Sequence, residues 1–490
     1  MSNKNFLTDL KEGITSVFRG PSDASNLLSL DGRPPFWKAF LFGLQHLLAM
    51  LVSNVTPIIL VFASLGLTES EFATHAMMGA FLFAGLGTIV QLLLGARLPL
   101  VLGSSFAFMP ALIVIGRQGG GGLEGLYTIY GSLLVGCSLG IVLALTYRFW
   151  GKLIKPVVPP IVILAIGLSL LSNAANQFLG GTVIISNVIA TGKTGMGVPY
   201  FVYPLIAFVT LSVSLIWSFV FKGVWKNVNI LMGIVVGVIL AFCIPGVIDF
   251  SSFSFDSANL VGPNGIIDAP RFLDITAFRF LPIPCLMTSI CALITTVECI
   301  SSTSALSRGV FEKAPTQRQL IGANIALAGT SFLAVLFGAF PFTMYSENVG
   351  IVITSKSPNR FSVFLTGFLL VILSFFPILI NCVFIIPEAV IGGTMAVLFG
   401  TISVIGFRQF ASLGFTNKNT LILALSLTIG FGLSIATIPL PNGNQAASLS
   451  LFDALDLEWL NNIFSSPIIN MFLISFILSW AIPEGKAKKD

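Results

Sequence analysis

Charge is scarce in this chain. Only 9% of its 490 residues are Asp, Glu, Lys or Arg, against 55% hydrophobic, and the mean hydropathy is +0.96. So little charge cannot cover a soluble domain of this length, which excludes the soluble globular classes and indicates a polytopic membrane protein. Histidine is scarcer still, with two residues, and no His-rich, paired-Asp or Ser/His arrangement occupies a cytoplasmic edge. A membrane-embedded enzyme therefore lacks its chemistry, and no enzymatic activity is expected. The six cysteines (Cys137, Cys243, Cys285, Cys291, Cys299, Cys382) lie in apolar segments without paired spacing. They read as small buried hydrophobes, with no disulfide or metal expected. The polar first 35 residues lack a charged start, short apolar core and cleavage site in sequence, so no signal peptide is expected and the N-terminus is placed in the cytoplasm.

Apolar runs are abundant. They fall near residues 39–64, 73–95, 98–116, 123–147, 156–173, 199–221, 227–247, 280–306, 318–340, 341–355, 361–383, 386–406, 419–438 and 463–482, which makes fourteen expected spans. An even count puts both termini on one side. Placing termini and even-numbered loops inside assigns 21 of the 25 Lys and Arg residues to the cytoplasm, leaving only Arg117, Lys193, Arg271 and Arg279 outside. The net charge of +5 is thereby explained by topology, and no nucleic-acid partner is expected. The outer loops carry Glu69, Glu71, Asp249, Asp256, Asp453, Asp456 and Glu458.

Two of the runs are too short and polar for ordinary spans, and they match each other. Leu98-Pro99-Leu100-Val101-Leu102-Gly103-Ser104-Ser105-Phe106 aligns without gaps on Phe340-Pro341-Phe342-Thr343-Met344-Tyr345-Ser346-Glu347-Asn348. The third and tenth spans thus read as repeat mates in opposite orientation, each an extended stretch leading into a half-helix whose N–H groups can meet a ligand. Glu347 stands in the second of them without a basic neighbour in sequence, and an ionised carboxylate in hydrocarbon costs roughly 2.5 kcal/mol or more. Glu298, in Thr295-Thr296-Val297-Glu298-Cys299-Ile300-Ser301-Ser302-Thr303, is a second isolated acid; its alternative is a protonated Glu bonded to a neighbouring backbone. Glu388 opens a span and reads as a surface helix-start carboxylate. His46, two turns into the first span, is a packing or hydrogen-bonding residue or a proton carrier, and His75 is interfacial.

These residues together resemble one family. Gln45-His46-Leu47-Leu48-Ala49-Met50, Gly103-Ser104-Ser105-Phe106, the Glu298 segment, Ser346-Glu347-Asn348-Val349-Gly350 with Thr354, and Pro387-Glu388-Ala389-Val390-Ile391-Gly392-Gly393 occur in the order found in the nucleobase-ascorbate transporters, also called nucleobase cation symporter family two. The resemblance runs from about Arg33 to Pro483. It implies an all-α polytopic membrane protein of fourteen segments in a seven-plus-seven inverted repeat, with spans 3 and 10 broken by short extended stretches. The expected divisions are a cytoplasmic segment 1–35, core parts 36–147 and 280–383, gate parts 148–250 and 384–483, an extracellular loop 251–279 and a cytoplasmic tail 484–490. It further implies a cytoplasmic-membrane location and allows a homodimer.

By the same resemblance, a nucleobase lies between the half-helices, bound by Glu298 and Glu347. Ser105, Phe106, Ser346 and Asn348 are the further binding candidates, the backbone N–H of Ser105, Phe106, Glu347 and Asn348 meeting carbonyl oxygens of the base. Phe106 either covers a base face or simply packs. Gln45, Gly350 and Thr354 are expected in structural roles, and Glu298, Ser302 and His46 in coupling. Departures from the family are specific: Ser302 stands where relatives often have His or Asp, Ala326-Leu327-Ala328 where many have Asp or Asn, and Ala107 where purine carriers often have Asn. Glu347 follows the uracil type, while the first-span and Pro387-to-Phe399 segments follow the purine type. The expectation is secondary active import of an oxo-base, uracil-like or xanthine-like, by alternating access, with no organic cofactor. Coupling is expected to a proton on a buried Glu, with sodium on Ser301, Ser302 and Thr303 as the rival. The other readings are a sodium-coupled nucleobase or ascorbate carrier and an inorganic-anion exchanger.

Overall fold

The computed structural model describes residues 6–18, 22–67, 70–194, 197–222, 226, 229–247, 267–377, 386–432, 434, 437–439, 445–447, 464 and 466–483. Helices α1 (Phe6–Phe18), α2 (Phe36–Ser64) and α3 (Glu71–Leu93) precede strand β1 (Leu102–Ser104), followed by α4 (Met109–Gln118), α5 (Gly122–Trp150), α6 (Val158–Phe178), α7 (Gly181–Thr191), α8 (Val202–Val220) and α9 (Asn229–Cys243). Then come α10 (Pro282–Phe311), α11 (Gln317–Leu336), β2 (Phe342–Met344), α12 (Ser346–Ser355), α13 (Arg360–Leu373), α14 (Glu388–Ala411), α15 (Asn417–Leu425), the short pair β3 (Thr437–Pro439) and β4 (Gln445–Ala447), and α16 (Pro467–Ala481). Among the described residues, eight helices are long and apolar enough to cross a membrane: α2, α3, α5, α6, α8, α10, α11 and α14; α9, α13 and α16 are shorter apolar helices. The chain is a mostly helical polytopic membrane protein.

Side chains set the helix starts. Ser70 Oγ accepts from Ala73 N–H at α3, Asn359 Oδ1 accepts from Ser362 N–H at α13, and Thr316 with Gln319 forms a reciprocal capping box at α11. Lipid offers helices no hydrophobic drive to associate, so they approach where small residues let backbones touch. A Cβ on Gly85 of α3 would lie 2.5 Å from the carbonyl oxygen of Gly367 in α13, and one on Gly406 of α14 would lie 2.4 Å from the backbone of Leu164 in α6. One packed group joins α2, α3, α5, α10, α11 and α13; another joins α6, α8, α9, α14 and α16, with sparser contact between the groups.

Three segments carry more structure than the apolar runs alone indicate. After the fifth apolar run the chain stays helical: α6 continues to Phe178, Gly180 and Gly181 turn the chain at φ of 103° and 86°, and α7 follows. Left-handed φ at consecutive residues is open to glycine without steric penalty, so this pair lets a second helix begin at once. The thirteenth run is not one helix. It passes from α15 into a π-helical turn at Ser426–Gly432, where Gly430 sits against the Met471 backbone, and then into β3. The N-terminal segment, read as a cytoplasmic extension, holds α1 against α3 and α13, with Val17 fully buried and Phe18 edge-on to Phe361. Asn359 Nδ2 donates to the carbonyls of Asn26, Ser29 and Gly32, and Arg360 pairs with Asp31. Cys382, Glu69, Asp249, Asp256, Asp453, Asp456 and Glu458 lie outside the described residues.

Candidate substrate site

The two Pro-led stretches meet in the middle of the molecule. β1 pairs antiparallel with β2, with Leu102 opposite Met344, Gly103 opposite Thr343 and Ser104 opposite Phe342. All six residues are buried. A two-stranded sheet has two open edges, and an unpaired N–H away from water costs several kcal/mol, roughly 2 to 7. Side chains from the surrounding helices cover them: Leu102 N–H donates to Thr88 Oγ1 at 3.0 Å, Phe342 N–H to Ser331 Oγ at 2.9 Å, and Ser104 N–H to Asn54 Oδ1 at 2.9 Å. Tyr345 lays its ring over Gly103, where a Cβ would come within 2.4 Å of it, and its hydroxyl donates to Ser104 O at 3.1 Å.

Beyond the strands the halves diverge. After β2 the chain enters α12 almost at once, and Glu347 stands in its first turn beside its own backbone N–H. After β1 it turns through four buried residues before α4 begins at Met109. Ser105 N–H donates to Pro341 O at 2.8 Å, and Ser105 Oγ accepts from Ala107 N–H at 3.3 Å. The expectation that Ser105 N–H meets a ligand is corrected: it extends the strand pairing. Phe106, 4% exposed, packs edge-on against Phe399 of α14 at 5.3 Å.

Glu298, on α10, is buried beside the Thr343 hydroxyl and within the electrostatic field of Glu347. Its Oε2 and Thr343 Oγ1 are buried without a hydrogen-bond partner among the described residues. Ser302, one turn on, places its hydroxyl 3.4 Å from Met344 O and 3.4 Å from Ser346 Oγ. Asn348 Nδ2 donates to His46 O at 3.2 Å, tying α12 to α2, while Asn348 Oδ1, His46 Nδ1 and Gln45 Oε1 remain unpartnered among the described residues. Buried polar atoms without partners converge here from α2, α10, β2 and α12, as a site built for a polar guest requires.

A cavity of about 640 Å³ opens beside them. Gln45, Ser346, Glu347 and Gly350 line it, together with Lys226 and with Arg408 on α14. Glu298, Ser302, His46, Ser105, Phe106 and Asn348 do not line it. Gly350, expected as structural, is not required by packing, since a Cβ there would meet nothing within 4 Å; its smallness leaves room in the cavity. The side chain of Thr354 lies outside the described residues. Glu388, at the first turn of α14, is exposed as a residue, but its carboxylate packs against Gly181 and leaves no room for a Cβ there. Asn54, Thr88, Ser331, Thr343 and Tyr345 also form the strand pair and its surroundings and are not among the residues the sequence singles out. Their one signal in sequence is the placing of hydrogen-bonding side chains within apolar runs.

Comparison with known proteins places this arrangement. The model of the xanthine/uracil permeases, described as "Permease family", matches residues 37–439. The chain belongs to this family, the nucleobase-ascorbate transporters. Xanthine permease of Bacillus subtilis is 29% identical over 452 residues, covering 88% of this chain and 96% of its own. Nucleobase transporter PlUacP of Paenibacillus larvae is 29% identical over 466 residues (92% and 96%), and xanthine permease XanP of Escherichia coli 26% over 466 residues (93% and 94%). Among solved structures, the transmembrane domain of the cyanobacterial bicarbonate transporter BicA has a TM-score of 0.54 at 13% identity, covering 90% of this chain and 97% of that one. Murine Slc26a9, an anion transporter in the inward-facing state, has a TM-score of 0.57 at 12% identity (91% and 68%). At such identity these two share the fold alone with the permease.

Proposed function

We propose that this permease is a secondary active transporter that imports an oxo-nucleobase, uracil-like or xanthine-like, by proton symport across the cytoplasmic membrane. The observation that carries the reading is the juxtaposition of Glu298 and Glu347 at the β1–β2 pair, with unpartnered polar atoms around them. A cyclic imide presents N–H donors, which carboxylates accept in charge-assisted hydrogen bonds, and oxo groups, which need N–H donors in return. The relatives named xanthine permease and nucleobase transporter support that substrate class. A proton taken up by either buried Glu would travel with the neutral base.

The transport cycle is alternating access of a core (α2–α5, α10–α13) against a gate (α6–α9, α14–α16). Fourteen segments in a seven-plus-seven inverted repeat underlie it, and the strand register supports that repeat. Repeat mates stand 242 positions apart, and Leu102 and Met344 are at once mates and directly paired, as a local twofold axis through that pair requires. The cavity runs from Glu347 to Lys226 and Arg408, which the charge distribution assigns to cytoplasmic loops, and this supports reading the conformation as inward-facing with cytoplasmic termini. A homodimer joined through the gate accompanies the reading.

Sodium coupling is the second reading, favoured by the Ser302 hydroxyl, which does not titrate and stands 3.4 Å from two other oxygens. Anion exchange is disfavoured, because Glu347 occupies the α12 N-terminus that would attract an anion. Proteoliposomes with independently set pH and sodium gradients test all three, using labelled uracil, xanthine, hypoxanthine, guanine, adenine and urate with chloride and sulfate as controls. Uptake of a base driven by the pH gradient alone is expected; anion uptake without base uptake would overturn the function, and dependence on sodium alone would overturn the coupling.

A further inference from the structure

A second cavity, of about 20 Å³, lies where α5, α10 and α11 meet, lined by Cys137, Gly140, Thr295, Thr296, Asn324 and Ser331 among others. That volume admits a single water-sized occupant. Neither a carboxylate nor a cationic side chain lines it. Asn324 is 1% exposed; its Nδ2 donates to Leu320 O at 2.9 Å, and its Oδ1 is buried without a partner among the described residues. The Thr296 hydroxyl gives its proton to Ala292 O at 2.8 Å, and that of Thr295 is directed to Ala292 O at 3.0 Å and Cys291 O at 3.2 Å. Both threonine oxygens keep lone pairs once their protons are engaged. Ser331 Oγ already accepts the β2 N–H of Phe342.

The cavity is therefore rich in acceptor oxygens, with both threonine protons committed elsewhere. A water can offer such a wall only two hydrogens, whereas a small monovalent cation satisfies several oxygens at once. Divalent magnesium keeps several waters and needs carboxylates, for which this space has neither room nor charge. We propose that this cavity is a sodium site, with Asn324 Oδ1 and the Thr295, Thr296 and Ser331 hydroxyl oxygens as its ligands. It is separate from the oxygens around Ser302. Sodium here joins α10 to α11 at a point where Thr295 is one turn from Glu298 and Ser331 holds the β2 backbone. Its effect is to stiffen the junction that positions the central strand pair.

The test uses the purified full-length chain in detergent, its thermal unfolding followed in sodium chloride against choline chloride at equal ionic strength, with binding of radioactive sodium measured in parallel. A saturable, sodium-specific rise in Tm of about 2 °C or more is expected. Asn324→Leu should abolish both the rise and the bound sodium, and Thr296→Val should weaken them at least tenfold. Stabilisation by the best nucleobase, measured on the same variants without sodium, should persist, which separates this site from the substrate site. Absence of a sodium-specific rise and of bound sodium in the wild type overturns the proposal in favour of a water. A full sodium response in Asn324→Leu overturns it as well; if that variant fails to fold, an unchanged response in the near-isosteric Thr296→Val does so instead.

Discussion

The two broken segments begin alike and end differently, and the contrast shows how a matched pair of backbones divides its labour. Both start from Pro, run extended, and satisfy their outer edges with a hydroxyl from a neighbouring helix, Thr88 on α3 and Ser331 on α11. In the first, the next residues are Ser105 and Phe106, both buried and engaged by the protein itself. In the second, the aligned residues are Glu347 and Asn348, one lining the large cavity and the other tied to His46 while keeping an unpartnered oxygen. The first half is engaged in packing, and the second keeps polar groups open to the cavity or unpartnered among the described residues.

Exchanging aligned positions should break the symmetry sharply. Glu347→Ala is expected to weaken binding of the best nucleobase ten- to a hundred-fold, since a hydrogen bond to a charged group contributes about 1.5–3 kcal/mol. Ser105→Ala, at the aligned position, should stay within about twofold, because its committed N–H is retained. Titration calorimetry on both purified variants checks the pair, and equal losses would show that the first segment also reads the ligand. Glu298→Gln should bind and exchange preloaded base but fail to accumulate it under a pH gradient, which counterflow and uptake in the same vesicles separate; normal accumulation would remove Glu298 from coupling.

Smaller effects probe the packing. Gly103→Ala drives a methyl into the Tyr345 ring and should lower stability by about 1–3 kcal/mol. Gly350→Ala meets open space and should stay within about 0.5 kcal/mol of wild type while narrowing the cavity and raising KM. Thermal unfolding distinguishes them, and a loss at Gly350 matching that at Gly103 would contradict the packing described. Tyr345→Phe removes only the bond to Ser104 O and should fall between the two, at about 0.5–1.5 kcal/mol.

Much of this is legible in the sequence, for identifiable reasons. A membrane span announces itself through composition, because lipid accepts only apolar surface, and a Glu without a counter-charge in such a run is conspicuous for the same reason. The Pro-led stretches were recognisable because polar residues interrupt hydrocarbon-length runs at matching places. The engagement of the Ser105 N–H and the open space beside Gly350 are not legible there, because a residue's neighbours in sequence do not reveal whether its N–H is already taken or its Cα already faces a cavity.

The sequence alone therefore determined the membrane class, the family, the positions of the two breaks and the identity of the isolated acids. All of these follow from local polarity measured against hydrocarbon. Only the tertiary structure decided which polar atoms are engaged and which await a guest. Ser104 O meets a hydroxyl 241 residues away and Asn348 meets His46 across 302 residues. Such partnerships depend on where helices cross, which no local pattern of hydropathy records.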